Sequence, residues 1–168
     1  TETAPLIIEV ERVDEVIPEC LDPVCFVQGT LIATSNGEVP VEDLRIGDLV
    51  QTMDSGLQPI RWVDSSYLTA QDLNENENLR PIRISRMAVN AAGVTNELVV
   101  SPQHRLFVAS KVAERMFGNR EVLVAAKQLL AIDGVDIAND FGDVTYYHIL
   151  FDQHEIIFSR GIPSESLY

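Results

Sequence analysis

Five side chains in this sequence stand out as candidates to attack or hold an acyl group: Cys25, Ser101, His104, His148 and His154. A thiol, a hydroxyl and three imidazoles fit cysteine nucleophile chemistry better than metal binding. Zinc selects clustered Cys/His pairs at short spacing, and the chain has none. No metal and no cofactor is therefore expected. Ser101 and His104 share the run SPQH, where a tight turn at Pro102 would aim hydroxyl and ring into one cavity. Each residue also has a structural reading: Cys25 as a small buried apolar group, His104 as a core or turn histidine, Ser101 as a cap before Pro102. His148 and His154 sit in a strand-rich segment, and the flanks Glu155 and Ile156 also suit an exposed strand.

A cysteine can use its own backbone as substrate. The thiol of Cys25 can attack the carbonyl just before it, converting the Val24–Cys25 amide into a thioester and freeing the amine of Cys25. The step is uphill because amide resonance is lost. A protein favours it by protonating the departing nitrogen from a histidine, by donating hydrogen bonds to the oxyanion, and by twisting the scissile peptide. The thiol must also be deprotonated, since an ordinary cysteine is only a few per cent thiolate at neutral pH.

These groups must be carried by short strands. Apolar residues make up 46% of 168, which is enough for one full core. LIAT, SNGE and VPVEDL read as strand, Asn-Gly hairpin turn and strand. IGDLVQTMDSGLQPIRWV repeats that plan around Asp54-Ser55-Gly56, and ELVVSPQHRLFVAS holds two strand-like halves about Pro102. VTYYHILFDQHEIIFSR supplies a last pair, and PLIIEVERV reads as a strand near the start. Helix is minor: a short one over 110–118 ending at Gly118, and a turn or two over 125–130. AQDLNENENLRP reads as an exposed polar loop, Trp62 as core packing, and Asp48 as a turn former. EVPVEDLRIGD from Glu38 echoes EVLVAAKQLLAIDG from Glu121, as two copies of one supersecondary unit would. The class is mainly β.

The charge narrows the partners. A net charge of -14 repels phosphate backbones and anionic bilayers, so neither nucleic acid nor membrane is expected as a partner. Two cysteines, Cys20 and Cys25, are too few for a disulfide scaffold, though their oxidation together would silence the Cys25 thiol. The chain begins at Thr1 and is expected to be a piece of something longer.

CFVQGTLIATSNGEVPVEDLRIGDLV resembles the opening block of the Hint superfamily, the self-processing module of hedgehog proteins, inteins and bacterial intein-like domains. SPQHRLFV is similar to its second block, with Ser101 in a place that usually holds threonine, and YYHILFDQHEIIFSRGIPSES to its closing block. The resemblance implies a pseudo-symmetric β-horseshoe over 25–168, with residues 1–24 an upstream flank. It implies that Cys25 is the nucleophile, that His104 contacts the scissile amide and that Ser101 helps hold the intermediate. His148 and His154 occupy places where other members carry an acid, a cysteine or a histidine. It further implies a covalently linked upstream protein segment, an acyl acceptor (water, thiol or amine) and a bacterial, secreted or surface-attached host.

The closing stretch GIPSESLY carries neither the His nor the Asn that complete inteins use to finish splicing. N-terminal cleavage, or transfer of the upstream segment, is the chemistry left. Two other readings stand beside it: a structural β-module without turnover, and a cysteine hydrolase acting on a separate substrate, against which the acidic surface counts.

Overall fold

The computed structural model describes residues 24–85, 97–109, 111, 114–115 and 118–167. The strand expected in PLIIEVERV, Cys20 and most of the helix expected over 110–118 lie outside these residues. At the end of that expected helix, Gly118 takes φ +79° and its N–H meets the Glu114 carbonyl at 3.0 Å.

Fourteen short strands form two antiparallel sheets among the described residues. The six-stranded sheet runs in the order β11 (Val135–Ile137), β7 (Ile82–Ile84), β8 (Leu98–Val100), β1 (Phe26–Val27), β12 (Val144–Leu150), β6 (Trp62–Leu68). The eight-stranded sheet contains β10 (Glu121–Ala125), β9 (Arg105–Ala109), β14 (Ile162–Glu165), β13 (Ile156–Ser159), β2 (Leu31–Thr34), β4 (Leu49–Gln51) and β5 (Leu57–Pro59). Its eighth strand, β3 (Gly37–Pro40), pairs with β2. The main core gathers Phe26, Ile32, Val50, Ile84, Leu98, Leu106, Ile149, Ile157 and Ile162 from both sheets. β-Branched residues dominate it, as a pleated and half-buried surface favours.

The chain repeatedly crosses from one sheet to the other. The last two strands expected from VTYYHILFDQHEIIFSR do not pair with each other: β12 lies in the smaller sheet and β13 in the larger, where it pairs with β14. The halves about Pro102 divide likewise into β8 and β9. The internal echo is real in three dimensions. β2–β3 and β9–β10 are hairpins, each followed by a 3₁₀ turn, Val41–Asp43 and Ala126–Ala131 respectively. At the centre of the smaller sheet the halves exchange strands, β7 pairing with β8 and β12 with β1. The fold is the pseudo-symmetric, mainly β architecture expected.

Two expectations are corrected. The polar stretch after β6 is not a loop: Ala70–Glu75 is a helix, α1, capped at Thr69 by a reciprocal bond with Asp72, followed by a 3₁₀ turn at Glu77–Leu79. The T-x-x-D capping box and one fully buried apolar residue, Leu73, suffice for a short helix in a polar run. Trp62 is 40% exposed, because among the described residues β6 is an edge strand paired only with β12.

The motif letters of the opening block have local causes. Gly29 takes φ +87°, a conformation that disfavours any side chain, and its N–H donates to Glu42 Oε2 at 2.8 Å. Thr30 Oγ1 donates to the Val27 carbonyl at 2.6 Å. Asp48 shapes a turn by accepting the Arg45 N–H at 2.9 Å.

Candidate functional site

The site is set by register. Phe26 of β1 stands opposite Val100 of β8 on one side and Tyr147 of β12 on the other. One step back along antiparallel ladders, Cys25 falls opposite both Ser101 and His148. Opposed residues share a face of the sheet, so thiol, hydroxyl and imidazole meet although their strands are remote in sequence.

At Cys25 the β1–β8 ladder changes partner. The Ser101 N–H donates to the Cys25 carbonyl at 3.1 Å, as a strand pair would. The reciprocal bond goes elsewhere: the Cys25 N–H donates to the Ser101 hydroxyl at 3.2 Å. The Ser101 carbonyl instead accepts the His104 N–H at 3.1 Å, closing the turn around Pro102. That turn therefore places a hydroxyl, rather than a carbonyl, on the nitrogen of the Val24–Cys25 peptide.

His148 approaches from the opposite strand. Its Nδ1 lies 3.2 Å from Cys25 Sγ and 3.4 Å from the Val24 carbonyl oxygen. Nε2 lies 3.5 Å from Ser66 Oγ on β6. With Nε2–H donating to Ser66, Nδ1 carries the lone pair and can accept the thiol proton. Once protonated there, the same nitrogen can donate to the Val24 oxygen. Cys25, Ser101 and His148 are all buried, next to a small cluster of Val27, Leu68, Leu73, Val144 and Tyr146.

His104 is fully buried, and its Nδ1 donates to the Cys25 carbonyl at 3.0 Å. The ring thus meets the carbonyl of Cys25, whereas the amide nitrogen of the Val24–Cys25 bond meets Ser101. Phe26 packs edge-on against the ring, with centroids 4.5 Å apart. Burial pushes the imidazole down to about 4; the Cys25 carbonyl and Glu165 act in the opposite direction, and His148 adds to the lowering. His104 is accordingly neutral at pH 7 and acts through its Nδ1–H.

His154 is placed differently. Its Nε2 lies 3.0 Å from Glu165 Oε2, in a cluster completed by Arg105. The structure thus brings Cys25, Ser101, His104 and His148 together and pairs His154 with Glu165. The sequence does not single out Ser66, Glu165 or Arg105; an isolated serine in an edge strand carries no signal, and Glu165 at the end of β14 is marked as buried only by the tertiary structure. No group of His, Cys, Asp and Glu among the described residues could hold a metal ion.

The Hint domain family model matches residues 24–168. Among solved structures, an Ssp DnaB mini-intein variant superposes with a TM-score of 0.54 at 8% identity, over 88% of this chain and 97% of that one. The MchDnaB-1 intein gives 0.53 at 10% identity, over 84% and 98%. The gp41-1 intein gives 0.51 at 12% identity, over 83% and 97%. At such identities the likeness is one of fold. No curated protein matches the sequence.

Proposed function

The chain belongs to the Hint domain family, whose fold supports self-processing in general, and from that premise we propose that it breaks its own Val24–Cys25 bond by an N-to-S acyl shift. The observation carrying this reading is the position of His148 Nδ1, within 3.2 Å of the thiol and 3.4 Å of the carbonyl oxygen that the thiol would attack.

His148 removes the thiol proton, and Sγ adds to the Val24 carbonyl carbon. The resulting oxyanion faces the newly protonated Nδ1, a charge-assisted donor in a buried site. The C–N bond then breaks, and the thiol proton ends, in net balance, on the nitrogen of Cys25. Ser101 Oγ contacts that nitrogen at 3.2 Å and can hand the proton across. The products are a thioester between Val24 and Sγ and the amine of Cys25. His104 and the Ser101 N–H pin the carbonyl of Cys25 from the other side, so that its nitrogen and sulfur keep their places while the bond between Val24 and Cys25 exchanges.

Water, a thiol or an amine then takes the acyl group, giving N-terminal cleavage or transfer. The closing block GIPSES supplies no Asn for a further cyclisation, so full splicing is not part of the proposal. A reporter fused ahead of Thr1 tests it. Hydroxylamine or a thiol is expected to release the reporter with its new end at Val24, read by mass spectrometry. A fusion that stays intact for days under both reagents refutes the proposal.

A further inference from the structure

Glu165 is a buried carboxylate that the acyl shift does not use. It stands at 1% exposure near the end of β14. Ser164 opposite Leu106 sets the register of β14 on β9, and that register puts Glu165 across from Arg105, the residue after His104. Its Oε1 accepts Arg105 Nε at 2.7 Å and the Arg105 peptide N–H at 3.3 Å. Its Oε2 meets Arg105 Nη2 at 2.7 Å and His154 Nε2 at 3.0 Å. The two partners, arginine and histidine, are the outer layer, with side chains 51% and 31% exposed against 2% for Glu165.

Inward of the carboxylate lies His104. The N–H that Glu165 accepts belongs to the peptide joining His104 to Arg105, so the carboxylate holds the plane from which the ring hangs. The other edge of that ring bonds Cys25, and Nε2 is buried without a hydrogen-bond partner among the described residues. Ring orientation therefore depends on the Cys25 carbonyl, the Phe26 edge, the anchored backbone and the main chain of Glu165, which also acts on the ring. An anion taken out of water is retained only where its partners compensate it, and bidentate pairing with arginine adds direction to the compensation.

We propose that Glu165 is a positioning residue for the Cys25 site: clamped by Arg105 and His154, it fixes the peptide of His104 and through it the carbonyl of Cys25. The effect on rate rests on the proposed acyl shift; the effect on His104 does not. This also gives His154 a place, as an outer partner of the clamp.

The test uses the full chain behind an upstream reporter, with Glu165→Gln, which keeps length and one acceptor but removes the charge that holds the arginine fork. The variant is expected to melt cooperatively, to change the ring-nitrogen shifts of His104 at neutral pH, and to release reporter under hydroxylamine about ten-fold more slowly or worse. A folded variant with unchanged His104 shifts and release within twofold of wild type overturns the proposal. Should Glu165→Gln fail to fold, Arg105→Lys, which keeps a cation but loses the fork, takes its place with the same readouts and the same overturning result. If the wild-type fusion releases nothing, the acyl shift is refuted, and the His104 shifts alone decide whether Glu165 positions the ring.

Discussion

The two crossovers between the sheets, Val27–Thr30 after β1 and Ser101–His104 after β8, are built alike and do different things. In each, the last residue's N–H meets the first residue's carbonyl at 3.1 Å, and its own carbonyl receives an N–H from the start of the following 3₁₀ turn at 2.8 Å. Thr30 spends its hydroxyl on the Val27 carbonyl within its own turn. His104, in the matching place, reaches into the other half of the molecule and holds Cys25. One backbone design thus carries a structural side chain in one half and a site residue in the other. The asymmetry of function comes from side-chain length and reach, and the strand exchange at the sheet centre brings the halves close enough for it to matter.

Cys25→Ala breaks the comparison most completely. It removes the nucleophile and is expected to abolish hydroxylamine-dependent release while leaving the circular dichroism spectrum unchanged. Release at the wild-type rate would mean that the scissile bond lies elsewhere.

His148→Ala comes next. It removes the only imidazole with a described contact to both Sγ and the Val24 oxygen, and release should slow on the order of 10²- to 10⁴-fold. A single-turnover time course settles the magnitude, and a loss of less than tenfold would move the base assignment to another group.

The second crossover also carries a pH signature that the first lacks. Between pH 6.5 and about 4 the unfolded chain protonates His104 while the folded chain does not. The unfolded state then binds more protons, so stability falls as pH falls through that window, by on the order of 3 kcal/mol for this group. Thermal melts from pH 7 to pH 4 should show the decline, and it should flatten in His104→Gln. An equally steep decline in that variant would assign the acid sensitivity to the exposed carboxylates instead.

Thr30→Val is expected to be the mildest change. It deletes a buried hydrogen bond in the first crossover and should lower stability by about 1 kcal/mol. Release should stay within twofold of wild type at a temperature where the protein is folded. A larger loss of rate would show that the first crossover is part of the site after all.

Much of the fold was legible because its signals are local. The Asn-Gly turn, the glycine before Thr30, the alternating strands and the repeated E-V-x-V start each act over a few residues. The helix at Ala70–Glu75 was misread because a capping box and a single leucine outweighed a polar run. Trp62 was misread because large apolar area suggests a core, whereas edge position depends on which strands lie beyond it. Part of the candidate site was legible as well: Cys25, Ser101, His104 and His148 stand in recognisable blocks. Ser66 was not, because nothing near it in sequence marks it.

By itself the sequence determined the class of fold and the residue types able to do acyl chemistry. Tertiary structure decided which group meets which atom. It put His148 rather than His104 beside the thiol, Ser101 on the Cys25 nitrogen, and His154 with Glu165. The physical reason is register. A strand's side chains alternate faces with a period of two, so a one-residue slip would turn His148 away from Cys25. That alignment is set by ladders between segments more than a hundred residues apart, and no local pattern encodes it.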